Sequence, residues 1–88
     1  MKQIKLTGRE RSVLRVLDFS CGNTGEELLE SSRLESDDLV SVLNSLMAPG
    51  FLEMDPYAEE ATLETFFSAR FDVNPSYAQE LRAAMAQR

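Results

Sequence analysis

Asp55, Glu59, Glu60 and Glu64 form a run of carboxylates of the kind that holds a hard cation, because calcium and magnesium take oxygen ligands. Their spacing matches no calcium-binding loop, so solvated charges and no metal are expected. Nucleophilic chemistry has less to work with. Cys21 is the single cysteine and the chain has no histidine, which removes the usual activator of a cysteine nucleophile. Ser20 and the pair Ser31-Ser32 have no adjacent base, and no glycine-rich loop is present to cradle a phosphate. No catalytic residue and no cofactor are expected, and the chain is not expected to be an enzyme. A lone cysteine cannot form an internal disulfide, and Cys21 is expected as a small buried residue beside a turn.

Charge is the more informative property. From Leu34 to Ala69 there is no lysine or arginine, while Glu35, Asp37, Asp38, Glu53, Asp55, Glu59, Glu60 and Glu64 all fall there. Residues 1–33 carry a net +1, residues 34–69 a net −8 and residues 70–88 a net +1, so the entire acidic excess arises in the middle. The chain is 43% hydrophobic and 27% charged, which is ordinary for a folded domain and argues against global disorder. Its 88 residues suffice for one domain with one modest core. No apolar run nears the roughly 20 residues that span a bilayer. The first six residues lack the apolar stretch of a secretion signal. No membrane contact and a cytoplasmic location are the expectation.

Caps and periodicity place the elements that carry these charges. Thr7-Gly8-Arg9-Glu10 has capping-box spacing, and Val13, Leu14, Val16 and Leu17 recur at helical intervals, so a first helix is expected over about residues 8–19. Thr24-Gly25-Glu26-Glu27 is a second capping box and opens a short helix over about 25–32. Ser36 is the expected cap of a third helix over about 37–48, with Asp37 and Asp38 at its positive end and Leu39, Val40, Leu43, Leu46 and Met47 as its buried stripe. Pro49-Gly50 stops it. Phe51 to Asp55 alternates like a strand, and the β-branched and aromatic residues of 63–73 supply a second, giving a hairpin over about 51–73. Asn74-Pro75 then starts a final helix over about 75–87, with Tyr77, Ala78, Leu81, Ala84 and Met85 as its apolar stripe.

The stretch from Glu27 to Glu53, with paired apolar residues leading into Gly50-Phe51-Leu52-Glu53, resembles the winged helix-turn-helix superfamily, and most closely its MarR-type bacterial regulators. The likeness covers residues 7–73 in element order. It implies an α+β fold, a single domain over 1–88 with a three-helix core, a two-stranded wing and an added C-terminal helix. In DNA-binding members the third helix enters the major groove and the wing tip touches the backbone. By position, that would expose Ser36, Asp37, Ser41, Asn44 and Ser45 on the helix and residues 58–62 at the wing tip. A helix at the C-terminal end often builds the dimer in such regulators, so a homodimer is expected, the alternative being that this helix packs on the chain's own first helix.

The charge departs from that pattern, since duplex binding draws its sequence-independent affinity from lysine and arginine at phosphates. The expected function is therefore a regulatory or interaction module that binds a protein partner through Asp37, Asp38, Ser41, Glu59, Glu60 and an exposed Phe66. Adjacent strand residues point to opposite faces, so Phe67, Ala69, Phe71 and Val73 are assigned to the core and Phe66 to the surface, unless the last helix covers it. The main alternative is a DNA-binding transcriptional regulator. It would read bases with Ser36, Ser41, Asn44 and Ser45 and contact phosphate with Arg9, Arg11, Arg15 and Arg33. A third reading is an acidic mimic of nucleic acid. The plainest is a solvated acidic face that keeps a small protein soluble.

Overall fold

The computed structural model describes residues 4–86. Residue 87 of the expected final helix and Met1 to Gln3 of the segment inspected for a secretion signal lie outside them. The chain is α+β, with α1 Gly8–Val16, β1 Asn23–Thr24, α2 Gly25–Ser32, α3 Ser36–Met47, β2 Leu52–Asp55, β3 Arg70–Val73 and α4 Ala78–Ala86. The three strands form one antiparallel sheet in the order β1-β3-β2, with Met54 opposite Phe71 and Asn23 opposite Phe71 on its other side. No helix among the described residues is long and apolar enough to cross a membrane.

Both expected capping boxes form. Thr7 accepts the Glu10 amide while Glu10 accepts the Thr7 amide at 2.8 Å, and Thr24 and Glu27 repeat the exchange at the start of α2. The Thr24 amide and the Asn23 side chain hold the Glu27 carboxyl below its usual range, because both donate to its charged form. After α1 the chain turns on Asp18, whose carboxylate accepts the Ser20 and Cys21 amides. Those amides lower its pKa, with Cys21 the larger cause. α1 thus ends three residues before the expected Phe19. Cys21 is exposed on that turn instead of buried, since the turn points it outward while Gly22 goes inward.

α3 begins one residue earlier than expected, with Glu35 at the cap position and no side-chain cap bond, so Ser36 is the first helical residue and not the cap. Leu39, Leu43 and Leu46 are fully buried as the stripe requires. Val42 joins them, whereas Val40 and Met47 lie at the margin of the core. The helix stops at Pro49-Gly50, where Gly50 takes a φ of +91° that favours glycine and its amide bonds the Met47 carbonyl. Asn74 then ties the start of the C-terminal segment to this turn, donating from its side chain to the Gly50 carbonyl and from its amide to the Phe51 carbonyl.

The C-terminal segment is a 3₁₀ turn over Pro75–Tyr77 running into α4, capped by Asn74 as its sequence foretells. Its apolar stripe closes over the chain's own core: Leu81 is fully buried and Ala84 nearly so. Arg82 lies over the Phe19 ring at 5.0 Å, and Tyr77 meets Phe51 edge to face at 5.1 Å. The side chains on which a dimer was expected are thus largely engaged within the chain.

The expected hairpin is the element that differs most. β2 and β3 are four residues each, and residues 56–69 connect them without strand. Thr62 and Thr65 exchange backbone and side-chain hydrogen bonds, and the Phe66 amide donates to the Thr62 carbonyl at 2.9 Å, which makes this stretch a helical turn. A helical turn rotates successive side chains by about 100° instead of 180°. The phase therefore shifts: Phe66 is 3% exposed and Phe67 is 47% exposed, the reverse of the strand expectation, while Ala69, Phe71 and Val73 remain buried as assigned.

Candidate functional site

Three large hydrophobic side chains are exposed among the described residues: Tyr57, Leu63 and Phe67. All belong to the 56–69 connection, which also displays Glu59, Glu60 and Glu64 and has no cation. Its position depends on α2 and α3. The first amides of α2 lack partners within the helix, and here Gly25 donates to the Ala69 carbonyl and Glu26 to the Phe67 carbonyl, both at 3.0 Å. A Cβ at Gly25 would overlap the Phe66 carbonyl oxygen, so only glycine lets the segment lie this close. Phe66 is the buried peg and Phe67 the outward ring of this junction.

Asn44 holds the other end. Its side chain donates to the Ala61 carbonyl at 2.9 Å and accepts the Ala61 amide at 2.6 Å, so the expected wing tip is bound along α3. Asn44, expected to be exposed, is instead half-buried with its side-chain amide bonded to the chain itself. Ser45 is also engaged, with its hydroxyl 2.7 Å from the Glu10 carboxylate and 2.8 Å from the Val42 carbonyl. Of the residues placed on the outer face of α3, Asp37, Ser41 and Ser45 are exposed, and Ser36 and Asn44 are half-buried.

The basic residues are partly committed too. Arg9 pairs with Asp38 at 3.1 Å across α1 and α3, which takes charge from both. Arg11 reaches the Leu6 carbonyl at 3.5 Å. Arg15 and Arg33 are exposed, and Arg33 ends α2 in the left-handed region at φ 62°. The acidic residues Asp37, Glu59 and Glu60 are exposed with Asp38 half-exposed beside Arg9. Among the described residues no three His, Cys, Asp or Glu side chains gather to hold a metal ion.

Tyr57 lines two grooves, together with Met54 and Ala58. One of about 590 Å³ is lined by Met47, Leu52, Glu53, Met54 and Glu59, and one of about 330 Å³ by Met54, Pro56, Glu64, Thr65 and Ser68. In comparison with known proteins, no family model, no curated protein and no solved structure matches this chain. The site must be read from its own chemistry.

Sequence reasoning missed Tyr57, Leu63 and Phe67. An aromatic directly after Asp55-Pro56, in a polar turn with no periodic partners, was a usable signal for Tyr57. The Thr62-x-x-Thr65 spacing was the signal for a helical turn that would have set the phase of the two phenylalanines.

Proposed function

We propose that the chain is a non-catalytic winged-helix interaction module that binds a protein partner through the acidic side formed by α3 and the 56–69 connection. The observation that carries this reading is that Tyr57, Leu63 and Phe67 are exposed on the same connection as Glu59, Glu60 and Glu64. Aromatic anchors beside charges are typical of protein contacts, whereas an acidic surface repels phosphate. The winged-helix reading is supported by the element order and by a short β1 that pairs with β3 beside the β2–β3 hairpin. Asn44 is tied to Ala61, and the face that α3 leaves exposed, with Asp37, Ser41 and Ser45, has no cation to meet phosphate. Leu81 and Ala84 of α4 pack inward, which favours the acidic side over the C-terminal helix as the surface for a partner.

Fluorescence anisotropy with duplex DNA near physiological salt tests the reading against its alternative. The expected affinity is weaker than the roughly 10⁻⁴ to 10⁻⁶ M of non-specific DNA-binding proteins, and Asp37→Lys, Asp38→Lys, Glu59→Lys and Glu60→Lys together are expected to create binding. Nanomolar affinity for a defined duplex, lost on Ser41→Ala, would make the chain a DNA-reading regulator. Ser41 is the informative position because replacing Asn44 would also free the loop.

A further inference from the structure

We propose that Tyr57 anchors a cationic segment of the partner protein, with one arginine or lysine side chain lying in each of the two grooves that the ring lines. The inference rests on the interaction-module reading and names the partner's chemistry. Tyr57 is 83% exposed, so its ring stands free of the core as a wall shared by both grooves. Met54 lies in both, giving each an apolar floor. Glu53 and Glu59 stand at the larger groove and Glu64 at the smaller, while neither is lined by a lysine or arginine. An apolar floor beneath a carboxylate rim matches the amphipathic arginine or lysine side chain, whose methylenes pack below while its charge meets the acid. The tyrosine face adds attraction for a cation placed over it. From Leu34 to Ala69 the chain has no cation of its own to fill this role.

Side-chain docking fits better than addition of a strand to the sheet. The Phe51 carbonyl accepts the Asn74 amide, so by alternation Glu53 and Asp55 face β3 and the backbone groups of Leu52 and Met54 face the outer edge. Those two residues are 3% and 7% exposed, which leaves almost no edge for another strand to join.

The test is fluorescence anisotropy with a short labelled peptide alternating arginine and leucine, and a second in which glutamate replaces arginine. The arginine peptide is expected to bind and the glutamate peptide not to. Tyr57→Ala, and Glu59→Lys with Glu64→Lys, are each expected to weaken binding about tenfold, while Tyr57→Phe, which keeps the ring, retains most of it. Asp37→Lys with Asp38→Lys is expected to change it much less. Thermal melts check that the variants stay folded, as the exposure of Tyr57 requires. If spermine competes as well as the peptide does, charge alone is being read and the segment proposal fails. Binding that ignores Tyr57→Ala but falls on Asp37 and Asp38 reversal moves the contact to α3, overturning the Tyr57 site and leaving the interaction module intact. Absence of peptide binding overturns the cationic partner, and nanomolar duplex binding overturns the reading beneath it.

Discussion

Gly25→Ala is expected to cost about 3 kcal/mol or more, through overpacking and the loss of two backbone hydrogen bonds. The new methyl would overlap the Phe66 carbonyl, and no rotamer change can move a backbone atom aside. The 62–69 segment must slide away from α2, which breaks the bonds from Gly25 to Ala69 and from Glu26 to Phe67 and uncovers the Phe66 ring. Set against roughly 4–13 kcal/mol for a domain of this length, that is a large share of total stability. Urea denaturation measures it, and a loss below about 1 kcal/mol would mean that the segment does not lie against α2. The same variant should weaken partner binding under conditions in which it remains folded, because Phe67 is displayed by the same junction.

Leu43→Ala is expected to cost about 2–5 kcal/mol from lost burial and the cavity left behind. Leu43 is fully buried at the centre of α3 between Leu39 and Leu46, so the surrounding side chains have little freedom to collapse into the space. A measured loss of less than about 1 kcal/mol would contradict the register of α3. The two variants differ in kind. Leu43→Ala weakens the core, whereas Gly25→Ala strikes the seam that presents the candidate surface.

Helix positions were legible because they are local. Thr7 with Glu10, Thr24 with Glu27, and Asn74 with Pro75 each act within one turn, and the Leu39-Leu43-Leu46 spacing repeats within one helix. What escaped was set by contacts between distant residues or by very short elements. β1 is two residues long and owes its existence to β3, so it leaves no periodic trace. Asn44 lies off the apolar stripe and reads as solvent-facing, yet it binds Ala61, seventeen residues away in the chain. Phe66 and Phe67 were exchanged because an aromatic, β-branched run suits a strand, while the Thr62–Thr65 turn imposed a helical phase on it. The acidic segment itself was legible in full, since charge counts need no geometry. Its apolar partners were not, because exposure is decided by what the rest of the chain covers.

The most direct test of the interaction surface is site-specific photocrosslinking from position 67 in the full chain, with position 15 on α1 as a reference. The account predicts a discrete protein adduct from position 67 that is absent from position 15 and lost when Glu59→Lys and Glu60→Lys are added. An adduct to nucleic acid from position 67, or a protein adduct that forms equally from both positions and survives the charge reversals, would contradict it.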